Sequence, residues 1–301
     1  MASYYSHGKL LITGEYLVLD GAKALALPTK FGQKLAVIKT KSTSIHWKSY
    51  DENNVLWFEG FFLIENGIVK SIECSDTKTS ERLVDILNAL FKLQPSCFNS
   101  GLYIETHLEF NRHWGLGSSS TLIASLAAWA SIDPYAFLKD TFGGSGYDIA
   151  CANAYSPIIY QLQKNSYPKV DSVAFNPPFK EHLYFVYLNK KQNSREGISQ
   201  YRKKQSVSNS QIDSINTITN AMVSCTSIER FESLLIEHER IISNIIGLEP
   251  IQKVFPDFDG QLKSLGAWGG DFILAISKVD PTSYFQSKGL KTVLPYKSVV
   301  L

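Results

Sequence analysis

The spacing of hydrophobic positions changes several times along this chain, and each change marks an element. Residues 9–19 form a nearly continuous apolar run, which predicts a buried strand broken at Gly14. Asp20-Gly21 signals a turn, and residues 24–27 and 34–39 predict two further strands. Residues 45–47, 56–62 and 68–72 alternate apolar with polar, as in a meander of strands. Leu83, Ile86, Leu87 and Leu90 then recur at helical spacing and predict a helix over 81–93. Residues 102–110 return to alternation as a strand. An apolar helix starts at Ser120, a short one covers 134–142, another runs through 149–154, and 157–163 reads as a strand.

Residues 165–178 are polar and carry Pro168, Pro177 and Pro178. A domain boundary is therefore expected there, dividing the chain into 1–170 and 171–301. Beyond it, 183–188, 272–277 and 290–294 predict strands, and 210–224 and 228–246 predict helices. An α+β class, with strands covered by helices on one face, fits this order. Glu237-His238-Glu239 falls in the second of those helices; His238 has no histidine four residues on, so the triplet reads as an exposed charged face.

Composition narrows the picture. The 301 residues are 44% hydrophobic and 19% charged, as in a soluble globular protein with ample core. A net charge of +2 gives no electrostatic case for nucleic acid. The cluster Tyr201-Arg202-Lys203-Lys204 reads as a solvated surface. Cys74, Cys97, Cys151 and Cys225 are scattered without CxxC spacing, which points to reduced thiols rather than zinc or disulfides. Gly8-Lys9 and Glu15 interrupt the early apolar stretch, so neither a signal peptide nor a membrane span is expected. The expectation is a cytoplasmic monomer or homodimer acting on a small molecule, with no nucleic acid or membrane partner.

The densest chemistry lies in Trp114–Ser125, where Gly115, Leu116 and Gly117 lead into Ser118, Ser119 and Ser120 at the start of an apolar helix. Glycines admit a ligand close to the backbone, and the N–H groups of a helix start attract anions. The segment reads either as a phosphate loop, its serines on phosphate oxygens or magnesium, or as a Ser-capped helix after a glycine turn. It lacks the Gly-Lys-Ser/Thr of a Walker A loop. Further glycine segments are Gly8-Lys9 to Glu15, Gly143 to Asp148, and Gly266-Ala267-Trp268-Gly269-Gly270-Asp271.

Taken together, in this order and spacing, these segments resemble the three motifs of the GHMP kinase superfamily (galactose, homoserine, mevalonate and phosphomevalonate kinases). The resemblance spans essentially the whole chain. It implies a two-domain α+β fold, with an N-terminal domain like the second domain of ribosomal protein S5 and a ferredoxin-like C-terminal domain. It also implies ATP and Mg2+ as cofactors. By the same resemblance Gly115, Leu116, Gly117, Ser118, Ser119 and Ser120 hold the nucleotide phosphates, with Ser119 on magnesium. Asp148, in Ser145-Gly146-Tyr147-Asp148, stands at the family's catalytic carboxylate. Lys9 stands at the lysine that pairs with it and with the transferred phosphoryl group. Lys191, Ser194 and Arg195 either match a hydroxyl and basic segment that reaches the acceptor or form a solvated loop, and by the resemblance Gly269 and Gly270 of the third loop also bind the acceptor.

The chain departs from the family at several places. His7 replaces a proline, and Arg112-His113-Trp114 replaces smaller residues; His113-Trp114 reads either as an adenine stack or as core. Trp268 stands at a glycine position, which predicts an opened loop or an outward-turned indole. Asp140 is the only acid near the place of the mevalonate kinase magnesium glutamate, and it is out of register. Gly-Tyr-Asp-Ile-Ala and Gly269-Gly270-Asp271 look nearest the mevalonate and phosphomevalonate branch. The resemblance thus implies ATP-dependent phosphorylation of mevalonate or 5-phosphomevalonate. The alternatives are a decarboxylase of diphosphomevalonate type and a catalytically silent ligand-binding relative.

Overall fold

The computed structural model describes residues 1–203 and 207–301, so Lys204 of the basic cluster lies outside the described residues. The chain forms two compact units that interleave in sequence. One holds Met1–Gly8, Phe31–Arg112 and Gly117–Asn153; the other holds Lys9–Lys30, His113–Leu116 and Ala154–Leu301.

In the first unit, β1 (Ala2–Leu11) pairs with β2 (Ala24–Thr40), both of which also give residues to the second unit. β3 (Ser44–Tyr50), β4 (Leu56–Glu65) and β5 (Ile68–Cys74) form the expected antiparallel meander. After α1 (Thr77–Leu93), β6 (Gly101–Leu108) lies parallel to β3 and antiparallel to residues 33–40 of β2. The order is β5-β4-β3-β6-β2. Helices α2 (Ser118–Ala130), α3 (Pro134–Thr141) and α4 (Tyr147–Ala152) complete the unit.

Alternation decides which face these strands bury. Ile45 and Trp47 of β3, Phe62 of β4 and Ile104 of β6 join Leu83, Leu87 and Leu90 of α1 and Ile123 of α2 in one core. Each such side chain contributes about 1.5–3 kcal/mol on leaving water. The core also takes in Ser49, which is held by hydrogen bonds: Trp47 Nε1 and Thr106 Oγ1 each donate to its hydroxyl at 2.9 Å.

In the second unit, β7 (Ile158–Gln161) pairs antiparallel with Ala24–Ala26 of β2, and β8 (Lys169–Ser172) pairs with β7. Then come β9 (Leu183–Tyr187), α5 (Ser194–Arg202), α6 (Asn209–Val223), α7 (Ile228–Ile246), β10 (Gln261–Ser264), β11 (Phe272–Ile276), α8 (Thr282–Ser287), β12 (Val293–Pro295) and α9 (Tyr296–Val299). The strands β10-β11-β9-β12 make an antiparallel sheet of four. Helix α7 starts at Ser227, whose side chain accepts the Arg230 N–H, and stops at Gly247 in the left-handed region (φ 68°).

Several expectations are revised. The strand expected over 9–19 ends at Leu11, because Gly14 (φ 85°) and Tyr16 (φ 63°) turn the chain into a 3-10 turn at Leu17–Asp20. Gly14 is required there, since a Cβ would meet the Lys23 carbonyl oxygen at 2.6 Å. β2 is one strand where two were expected. It continues through Pro28, whose carbonyl accepts the Leu301 N–H at 3.1 Å, with Thr29 bridged to Val300. α5 was not expected at all, because Ile198 and Tyr201 are its only large apolar residues; Tyr201 anchors it by packing on Tyr16 and donating to the Asp20 carboxylate. Among the described residues no helix is long and apolar enough to cross a membrane.

Candidate functional site

In the second unit Lys9 of the first glycine segment, Gly115 and Leu116 of the second, and Asp271 of the third meet. Lys9, near the end of β1, donates its backbone N–H to the Leu116 carbonyl and its Nζ to the Gly115 carbonyl, both at 2.9 Å. Gly115 is left-handed (φ 69°), and a Cβ on it would lie 2.3 Å from Asp271 Cγ. Asp271 is therefore packed directly on the second loop, and only glycine fits opposite it.

Asp271 also fixes the segment after β9. Its N–H donates to the Lys190 carbonyl (2.7 Å), its carbonyl accepts from Leu188 (2.9 Å), and its Oδ1 accepts the Gln192 N–H (3.0 Å). Burial pushes the Asp271 carboxyl above the usual carboxylate range, against the pull of the Gln192 N–H and the charges of Lys9 and Lys191. Gly270 is buried, and a Cβ there would meet the Lys190 carbonyl at 2.6 Å. Gly269 is exposed and left-handed (φ 71°).

The Trp268 indole turns inward, so of the two alternatives expected, an opened loop or an outward-turned indole, the outward indole does not occur. Its backbone takes φ 59°, the side chain is 1% exposed, and its Nε1 is buried without a hydrogen-bond partner. Trp114 packs edge-on against Phe272, with ring centroids 5.7 Å apart, while His113 is exposed and its carbonyl accepts from the Tyr187 hydroxyl.

Lys191 lines a pocket of about 300 Å³ with Tyr16, Gln192, Glu196, Tyr201 and Ala267. Tyr16 closes it on one side by donating to the Ala267 carbonyl at 2.6 Å, and burial pushes its phenol up to about 12. Ser194 and Arg195 occupy the first turn of α5, exposed and outside that lining.

The remaining site residues belong to the first unit. Helix α2 starts at Ser118, two residues earlier than the pattern suggested, behind a left-handed Gly117 (φ 97°) that offers no side-chain cap. Ser120 is turned back, its Oγ donating to the Gly117 carbonyl at 2.9 Å, whereas Ser119 is exposed. The helix thus presents N–H groups that its own side chains do not cap, the arrangement that suits anions. Asp148 sits in the first turn of α4 behind Gly146 (φ 85°), half-buried, its Oδ1 accepting the Ile149 N–H at 3.1 Å. Burial, aided by the charges of Asp133 and Asp148, pushes the Tyr135 phenol up to about 12. Asp140 is exposed on α3.

Asp271, Gln192 and Glu15 fall inside the motifs without a role of their own being legible there, and Lys263 falls in no motif. His238 and Glu239, expected on an exposed face, are both buried. The missed signal is the α7 stripe: Phe231, Leu234, Leu235, His238, Ile241 and Ile242 share one face, so His238 belongs to the core side. Among the described residues no three His, Cys, Asp or Glu side chains gather as a metal-binding group.

No family model matches the chain, and no curated protein sequence matches it. Solved structures do. A Lin0012 protein from Listeria innocua aligns with a TM-score of 0.69 at 17% identity, over 97% of this chain and 96% of that one. The Streptococcus pneumoniae phosphomevalonate kinase, in complex with phosphomevalonate and AMPPNP, aligns with a TM-score of 0.67 at 14% identity, over 100% and 98%. The L. major mevalonate kinase in complex with R-mevalonate aligns with a TM-score of 0.67 at 15% identity, over 97% and 91%. At these identities the likeness establishes the fold. This chain has the two-domain α+β fold of the GHMP kinases along its whole length.

Proposed function

We propose that the protein is an ATP-dependent small-molecule kinase whose acceptor is mevalonate or 5-phosphomevalonate. The observation that carries this reading is the start of α2: an uncapped helix terminus behind a left-handed glycine, followed by three serines, in a chain with this fold from end to end. Nucleotide phosphates suit the N–H groups at Ser118, Ser119 and Ser120, together with Gly115, Leu116 and Gly117 before them. A magnesium ion carried on those phosphates sheds water reluctantly and needs few protein ligands, so the exposed Ser119 hydroxyl fits it.

In the reaction an acceptor oxygen forms a bond to the γ-phosphorus, the bond from that phosphorus to the β–γ bridging oxygen breaks, and ADP leaves. With a hydroxyl acceptor, as in mevalonate, Asp148 takes its proton and passes it to solvent; an ionised phosphate oxygen, as in 5-phosphomevalonate, brings no proton, and there Asp148 orients the attacking oxygen. Lys9 supplies a positive charge for the transferring oxygens. Lys191, Ser194 and Arg195 bind the acceptor's carboxylate or phosphate, with Gly269 and Gly270 shaping the loop behind it. Residues 1–170 carry the nucleotide chemistry and 171–301 most of the acceptor contacts.

The buried Trp268 favours a second reading, a ligand-binding relative without turnover, because a bulky indole occupies a family glycine position. A panel of acceptors with ATP and magnesium, read as ADP release, tests both. ADP release with mevalonate or 5-phosphomevalonate is the expected result, and carbon dioxide release would identify a decarboxylase instead. Nucleotide binding without ADP release on any acceptor would leave the silent relative.

A further inference from the structure

A group of ionisable side chains that phosphoryl transfer does not use lies behind the first motif. Glu15 comes from the turn after β1, His238 and Glu239 from α7, and Lys263 from β10; none is more than 2% exposed. Lys263 Nζ is ion-paired with Glu15 Oε1 and donates to the Ser264 carbonyl at 2.8 Å. Glu239 Oε1 accepts from Ser264 N (3.0 Å), Ser264 Oγ (2.7 Å) and Ile251 N (3.1 Å), the pattern of an ionised carboxylate. The second oxygen of Glu15, Oε2, has no hydrogen-bond partner and stands 3.3 Å from His238 Nε2. That Nε2 already accepts the Gly14 N–H at 3.0 Å, so the ring's own hydrogen is on Nδ1, which is buried without a partner.

Two difficulties follow if every acid here is ionised. Lone pairs of Oε2 and Nε2 would face each other across 3.3 Å. Two carboxylates would also oppose one ammonium, leaving a net negative charge in a buried interior, a cost of several kcal/mol. One proton on Oε2 removes both: it neutralises Glu15 and turns a donor toward the Nε2 lone pair, which the Gly14 N–H and the Glu15 hydroxyl then share as a bifurcated acceptor.

We infer that Glu15 and His238 share one proton and that, with Lys263, they are positioning residues holding the first-motif turn to the base of the third glycine loop. The chain on either side supports that role. Tyr16, next to Glu15, is left-handed and donates to the Ala267 carbonyl, while Lys263 and Ser264 lead directly into residues 265–270. Burial outweighs the Lys263 ammonium and pushes Glu15 up to about 7, and burial with Lys263 holds His238 well below its ordinary value, as a neutral ring. The groups facing Glu15 are thus Lys263, His238, Glu239 and the Tyr16 phenol.

The positioning role rests on the kinase reading, whereas the shared proton does not, and it is tested without nucleotide. Glu15 holds its proton more tightly folded than unfolded, so stability falls as pH rises from the ordinary glutamate value to about 7 and then levels. Urea unfolding of the full chain is measured from pH 5 to 8.5 for the wild type and Glu15→Gln, which keeps the shape and cannot lose a proton. The ratio of their unfolding constants is expected to rise up to about tenfold per pH unit until pH about 7, then level off. A ratio flat across the range would overturn the inference. Should Glu15→Gln fail to fold, nitrogen-15 shifts of His238 in the wild type decide the matter. A neutral ring with hydrogen on Nδ1, and an Nε2 shift that moves near pH 7, is expected. A ring that titrates to imidazolium, or carries its hydrogen on Nε2, would overturn it. Failure of the acceptor panel alone, with the pH ratio as expected, would overturn the kinase reading and leave the proton in place.

Discussion

Replacing Gly115 by alanine tests how the second and third loops are joined. The added Cβ would lie 2.3 Å from Asp271 Cγ, 2.4 Å from Oδ2 and 2.6 Å from Oδ1, far inside van der Waals contact. It would also have to adopt φ 69°, which costs an L-residue about 1–2 kcal/mol. Overpacking against the carboxylate adds about 1–3 kcal/mol, because Asp271 is tied by its own backbone to Lys190 and Leu188 and cannot swing away freely. The expected destabilisation is about 2–5 kcal/mol, read from urea unfolding as a lower midpoint at unchanged slope. Asp271→Gly alone loses the Gln192 hydrogen bond but relieves a left-handed aspartate (φ 53°). The double variant removes the clash and retains only the backbone cost at residue 115. The two substitutions should therefore be non-additive, with about 1–3 kcal/mol of Gly115→Ala recovered in the Asp271→Gly background. A loss under about 1 kcal/mol for Gly115→Ala, or strict additivity, would show that the loops are not packed as described.

Three further outcomes are expected. Asp148→Asn should lower turnover by about 10²-fold or more while calorimetric ATP affinity stays unchanged; near-normal turnover would make Asp148 a helix-start residue only. Gly117→Val should weaken nucleotide binding in a folded protein, because a β-branched residue resists φ 97° and disturbs the first N–H groups of α2; unchanged affinity would leave the loop a helix start without a ligand. Lys263→Met should destabilise the fold by about 3–5 kcal/mol, since it leaves Glu15 buried without its cation. That loss should be smaller at pH 6 than at pH 8, because the protonated Glu15 needs no cation; urea unfolding showing the reverse order would contradict the assignment of its proton.

Local rules made much of this chain legible. Alternation identified the β3–β5 meander, and the spacing of Leu83, Ile86, Leu87 and Leu90 identified α1, because period alone states which face is buried. Glycine segments ahead of apolar helices marked α2 and α4 to within two residues of their starts, since left-handed backbone and uncapped N–H groups are properties of a few consecutive residues. Helix α5 escaped this reading because it is held by contacts of Tyr201 with Tyr16 and Asp20, almost two hundred residues away, and carries no stripe of its own.

What the sequence by itself determined is thus the strongly patterned elements, such as the β3–β5 meander and α1, with their buried faces, and the short motifs, each written in neighbouring residues. Only the tertiary structure decided that Asp271 faces Gly115, that the Trp268 indole points inward, and that Glu15, His238 and Lys263 share one buried site. The physical reason is that a buried charge is tolerable only where partners from distant segments supply the opposite charge or a proton. No local pattern records which segments those are.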